Sequence, residues 1–204
     1  MVGQVGRFFL LSVRWSAYPL SVASKSLLQV AKYVPAQRWV NSTGESMKLG
    51  VPKEPEGETR VGIVPSSMKK LTRAGFDVYV EAGAGLAANY HDQDYTDAGA
   101  HVVAREEALA CENIVCIRFP GVDGIGAGTN LACVSDPFRH PDFVKACMDA
   151  NITLLSMDMI PRRLSRAQSM DVNSSQDNLS GYKAVLLGAA HVPKGIPMMT
   201  TSAG

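Results

Sequence analysis

A Gly-x-Gly-x-x-Gly turn between a strand and a helix is missing from this chain, and with it the backbone cradle on which a dinucleotide's pyrophosphate rests. Gly121, Gly124, Gly126 and Gly128 come near to such a run, but Asp123 lies among them and no amphipathic helix follows. They predict a flexible loop. Cysteine is scarce: Cys111, Cys116, Cys133 and Cys147 show no Cys-x-x-Cys spacing, and the 4 histidines fall in no ligand pattern. Reduced core thiols are expected, and no metal. Nothing approaches 18 consecutive apolar residues free of charge, so no segment is expected to span a bilayer. Charge of one sign is lacking too, with 20 Lys and Arg against 19 Asp and Glu. No polybasic face for nucleic acid is expected.

What is present suits one packed domain with some extra chain: 204 residues, 46% of them apolar. Residues 1–46 stand apart, with Arg7, Arg14, Lys25, Lys32 and Arg38 against the single acid Glu45. Phe8, Phe9, Leu10, Leu11, Trp15, Leu27 and Leu28 supply a basic amphipathic face, the pattern of a mitochondrial transit peptide. Arg14 interrupts the apolar run too early for a secretory signal, and Met47 offers an alternative start. After Met47, short apolar runs predict strands at 48–51, 61–64, 77–81, 101–103, 114–117, 131–134 and 152–156. Between them, helices are predicted over 66–74 (capped by Ser66), 94–98, 105–110 and 141–150. Such alternation predicts an α/β fold, a mostly parallel sheet flanked by helices, flavodoxin- or Rossmann-like. A last helix is expected over 180–191, ending near His191.

The stretch from Pro161 to Asp171 sets cations, an amide and a carboxylate at the mouth of a helix. Ser165 and Gln168 have capping-box spacing, which predicts a helix beginning after Ser165 with Gln168, Asp171 and Ser175 along one face. Arg163 and Arg166 then oppose the helix dipole unless a carboxylate such as Asp171 holds one of them. A primary amide such as nicotinamide's needs both a donor and an acceptor, and Gln168 supplies both. The same spacing also describes an ordinary capped surface helix with a salt bridge.

Residues 163–182, RLSRAQSMDVNSSQDNLSGY, closely resemble the NAD(H)-binding component of the proton-translocating nicotinamide nucleotide transhydrogenases. Two further stretches agree: LGVPKE at 49–54 leading to Arg60 and Val61, and Gly75-Phe76 to Gly83-Ala84-Gly85 followed by Tyr95 and Ala98-Gly99-Ala100. The resemblance implies hydride transfer from NAD(H) on this component to NADP(H) on a partner component, with a membrane component coupling it to proton movement. It also implies a homodimer, an inner-membrane association through the complex, and the first domain of a two-domain dehydrogenase. Arg163, Gln168 and Asp171 match the family's catalytic positions, and together with Ser174 they match its nicotinamide ribose and carboxamide contacts.

The match departs in places. Two arginines follow Pro161 where the family has one, so either Arg162 or Arg163 takes the role; Arg163 keeps the family spacing to Gln168. Val172-Asn173 replaces the usual Ala-Leu, which the helix should survive. The organisation expected is a targeting or disordered extension at 1–46, an N-terminal α/β domain at 47–160, a nicotinamide-contacting loop and helix at 161–179, and a crossover helix at 180–204 leading to a missing NAD-binding domain. A truncated chain of this kind is expected to bind NAD(H) weakly. Alanine dehydrogenases are the related soluble family; by that analogy Arg60 faces a substrate carboxylate, Arg118 stands near a lysine position, and no histidine counterpart is found. An inert assembly domain is the third reading.

Overall fold

The alternating apolar runs become six parallel strands in a computed structural model that describes residues 46–118, 121–165 and 167–194. The extension expected at 1–46 (Ser46 excepted), Arg166, and the end of the chain beyond 194 lie outside the described residues. The strands are β1 (Met47–Val51), β2 (Phe76–Glu81), β3 (His101–Val103), β4 (Asn113–Arg118), β5 (Asn130–Val134) and β6 (Thr153–Ser156). They lie in the order β3-β2-β1-β4-β5-β6, with every pairing parallel. This is the doubly wound Rossmann order, whose topological switch point falls between β1 and β4.

Period-2 alternation sorts the side chains into two cores. Leu49, Val51, Val78, Val80, Val115 and Ala132 share one face with Met68 and Leu71 of α1 (Met68–Arg73) and Tyr95 of α2 (Asp92–Asp97). Ile114, Cys116, Leu131 and Cys133 share the other with Leu109 of α3 (Arg105–Leu109) and with Phe143 and Cys147 of α4 (Pro141–Asp149). Gly50 allows α3 to sit close on β1, since a Cβ there would stand 1.9 Å from the Ala108 carbonyl oxygen. All four cysteines are buried and free; Cys133 beside Cys116, together with burial, pushes the Cys116 thiol up, and burial lifts Cys111 and Cys147 to about 11.

Several expectations change. Residues 61–64 form no strand, because β1 already has β2 on one side and β4 on the other. The segment lies over the sheet instead, with Val61 and Ile63 in the first core and the Ile63 carbonyl accepting from the fully buried Tyr95 hydroxyl at 2.9 Å. Burial also lifts that hydroxyl to about 12. Ser66 caps nothing; it sits inside a 3-10 turn, Pro65–Ser67, that leads into α1. At the start of α2, Asp92 accepts from the Gly83 N–H, and Asp94 accepts from the His91 N–H in a capping box. The glycine stretch after β4 is a loop from 121 on, with positive φ at Gly121, Gly124 and Gly128.

The last helix differs most. It is one element, α5 (Val172–His191), rather than a segment starting at 180, and it begins at Asp171 rather than after Ser165. No capping box forms at Ser165, because the preceding residues close tight turns, with the Ala167 and Gln168 N–H groups both donating to the Leu164 carbonyl. Gln168 therefore belongs to a 3-10 turn (Gln168–Met170) and not to the face of α5.

Candidate functional site at the carboxyl edge

Open parallel sheets bind ligands beyond the carboxyl ends of their strands, at the switch point. In this chain that edge is closed by carboxylates. Glu54, just past β1, accepts from the Ile117 and Arg118 N–H groups at 2.6 and 2.9 Å. Burial of the Glu54 carboxyl raises its pKa against those two bonds. Glu81 at the end of β2 accepts from the Lys53 N–H at 2.7 Å and pairs with Arg105 at 2.9 Å, so Lys53 is tied down through its backbone. Asp158, beyond β6, accepts from the Ser135 and Asp136 N–H groups and from the Ser156 hydroxyl. The amides at the end of β4 and just after β5 thus already donate to carboxylates. The edge suits no phosphate.

Beside it stands a polar cluster. Glu58 accepts from Arg60 Nε and Nη2 at 2.8 and 2.7 Å and from the Arg60 N–H at 3.0 Å, while Arg118 approaches the same carboxylate at 3.5 Å. The Arg60 hydrogen bonds hold the Glu58 carboxyl at about 2, outweighing its burial. The third arm, Arg60 Nη1, donates to Gln176 Oε1 of α5 at 2.8 Å. All three arms of Arg60 are therefore engaged from within the chain.

The hook from Pro161 to Asp171 lies at the foot of α5. Ala167, Ser169 and Asp171 are buried anchors, and Arg162, Arg163 and Gln168 between or before them are exposed. Asp171 caps α5, accepting from the Ser174 N–H at 2.9 Å and the Ser174 hydroxyl at 2.5 Å. Burial pushes its carboxyl up, but the Ser174 bonds and the Arg162 charge prevail and hold it below the usual aspartate value. Arg162 lies 3.9 Å from Asp171 and 3.3 Å from Asp177, so Arg162 rather than Arg163 faces the aspartate. Asn173, far from weakening the helix, donates to the Asp158 carbonyl at 3.0 Å and fastens the first turn of α5 to the end of β6.

The structure thus brings Asp171 and Ser174 into direct contact and sets Gln168 in the turn before them. Among the described residues neither Gln168 nor Arg163 has a side-chain partner in a hydrogen bond or ion pair, and both are exposed. An amide carries both the donor and the acceptor that a ligand carboxamide would require, and the carboxylates at the strand ends offer nothing to a phosphate. A cavity of about 350 Å³ lined by Val122, Arg139, His140 and Phe143 among others shares no residue with the hook. Among the described residues no group of three His, Cys, Asp or Glu is placed to hold a metal, and no helix is long and apolar enough to cross a membrane.

Sequence spacing alone gave no chemical role to Asp158 and Gln176, whereas Glu54 and Glu58 both lie in the acidic turn that precedes Arg60.

Comparison with known proteins agrees with the fold. The chain is 40% identical over 169 residues to an NAD(P) transhydrogenase subunit alpha chain of Rhodospirillum rubrum, covering 78% of this chain and 44% of that protein. The crystal structure of a transhydrogenase from Sinorhizobium meliloti superposes with a TM-score of 0.71 at 40% identity, covering 77% of this chain and 48% of that one. An L-alanine dehydrogenase structure superposes at 0.64 and 30% identity, covering 71% and 40%. The chain spans less than half the length of these relatives. Residues 50–180 match the family described as alanine dehydrogenase/PNT, N-terminal domain, and the chain belongs to that family.

Proposed function

We propose that this chain is the nicotinamide-holding portion of the NAD(H)-binding component of a proton-translocating transhydrogenase. The observation that carries the reading is the exposed Gln168 amide, held between buried Ala167 and Ser169 and followed at once by the Asp171–Ser174 cap. Gln168 pairs with the carboxamide, and Asp171, Ser174 and Arg163 orient the adjoining ribose. The bound dinucleotide supplies the hydride chemistry; the chain supplies orientation and exclusion of water. No side chain has to move a proton. The phosphates are held by polypeptide outside the described residues, in keeping with the carboxylate-filled edge.

In the whole protein this reading brings with it a homodimer, an NADP(H)-binding partner component and a membrane component. If 1–46 is a targeting extension, the site of action is the mitochondrial inner membrane. The related alanine dehydrogenase reading asks Arg60 to receive a substrate carboxylate, and Glu58 already fills the Arg60 fork. The test is NADH affinity measured by NMR titration. Gln168→Ala is expected to weaken binding about tenfold, the value of a paired amide hydrogen bond lost in a desolvated site. Unchanged affinity, or turnover with alanine and NAD+, contradicts the proposal.

A further inference from the structure

α5 is fastened to the sheet in an unusual way. It runs for 20 residues with no buried side chain, and Leu179, Tyr182, Val185, Leu186 and Leu187 are all exposed. Apolar packing, the ordinary means of fixing a helix, therefore does not set its direction. Polar pins do. Asn173 holds the Asp158 carbonyl at 3.0 Å, and Gln176, one turn further along the same face, holds Arg60 at 2.8 Å. Arg162, 3.3 Å from Asp177, ties α5 only to the hook that leads into it, so against the sheet Asn173 alone leaves a pivot, and Gln176 three residues on fixes an axis.

The second pin is set on a rigid post. Glu58 grips Arg60 through Nε, Nη2 and the backbone N–H, and it stays ionised down to about pH 2, so Nη1 is aimed before α5 arrives. Asp171 and Ser174 lie five and two residues from Gln176 on the same helical end. Any swing of α5 about Asn173 moves them.

Resting on the nicotinamide reading above, we propose that Gln176 and Arg60 form a latch that fixes the direction of α5 and so positions Asp171 and Ser174 against the nicotinamide ribose. Both are positioning residues, and neither touches the reacting atoms.

The test uses the full 204-residue chain with Gln176→Leu, Gln176→Glu and Arg60→Met. Spin labels at Lys183→Cys on α5 and Lys69→Cys on α1 report helix direction without any ligand, the native cysteines being buried. Gln176→Leu is expected to broaden the label distance distribution and to weaken NADH binding about five- to tenfold, with the melting temperature unchanged. Gln176→Glu, whose carboxylate accepts from the same Arg60 nitrogen, restores both. The Arg60→Met/Gln176→Leu double variant is expected to bind no more weakly than the worse single variant, because the two residues act as one unit. A Gln176→Leu distance distribution that superposes on wild type overturns the latch, whatever NADH does. Weakened binding in Gln168→Ala beside wild-type binding in Gln176→Leu overturns the latch alone, while an inert Gln168→Ala overturns the nicotinamide reading.

Discussion

Replacing Asp171 by alanine removes two acceptors at once, for the Ser174 N–H and the Ser174 hydroxyl. An aspartate N-cap is worth about 1 kcal/mol, with a range of roughly 0.5–2. In most helices apolar packing hides some of such a loss; α5 has no buried side chain, and besides the cap its first turn is held by the Asn173 bond to the Asp158 carbonyl and by the Gln176 bond to Arg60. Those two side-chain bonds lie outside the Ser174 N–H, which loses its acceptor directly, so the opening free energy at that amide is expected to fall by about 1 kcal/mol, or roughly fivefold faster exchange. Hydrogen exchange followed by NMR at Ser174 and Ser175 reads this directly. Asp171→Asn separates the cap from the charge, since asparagine caps as well as aspartate. Its exchange rates should stay near wild type, while among the described residues Arg162 keeps Asp177 alone as an anionic partner. Exchange in Asp171→Ala within twofold of wild type would refute the reasoning, because it would mean that the Asn173 and Gln176 bonds hold the helix start without the cap.

Glu58 gives a pH-dependent counterpart. Its folded carboxyl lies at about 2 against an ordinary 4.5, so its contribution is complete above pH 4.5 and is lost as pH falls towards 2. The shift corresponds to roughly 3 kcal/mol at most, and to nearer 1 once solvent screening of the 41% exposed Arg60 side chain is counted. Denaturant melts of wild type and Glu58→Gln should therefore converge between pH 4.5 and 2, and parallel curves would count against the pair. At the sheet, Gly50→Ala would press a Cβ to 1.9 Å from the Ala108 carbonyl oxygen and 3.0 Å from its carbon, both backbone atoms. A cost of about 3 kcal/mol, or roughly 6–12 °C in Tm, is expected, and a drop under 2 °C would show that α3 moves freely.

The sequence made the sheet legible where burial and periodicity agree. Residues 113–118 and 130–134 alternate cleanly between two cores, and β3 at 101–103 coincides with its predicted span. Residues 61–64 carry the same alternation, yet both sides of β1, the strand they follow, are taken by β2 and β4, which is a property of the assembled sheet and not of the segment. The capping box at Ser165 lost to a local competitor: Asp171 presents two oxygens to one serine, and the residues before it close tight turns on Leu164. The candidate site divides in the same way. Gln168, Asp171 and Ser174 were visible as a compact motif, whereas the Arg60–Gln176 contact spans 116 positions and the carboxylates at the strand ends accept from amides of distant segments. No window of sequence contains both partners.

Titration of the ¹⁵N-labelled chain with NADH, followed by amide chemical shifts, tests together whether the hook before α5 receives the nicotinamide ring and whether the sheet edge refuses phosphate. The largest shifts are expected at Arg163 and from Gln168 to Ser174, with the Ile117, Arg118, Ser135 and Asp136 amides unmoved. A silent hook, with shifts confined to those four amides, would contradict both halves of the claim.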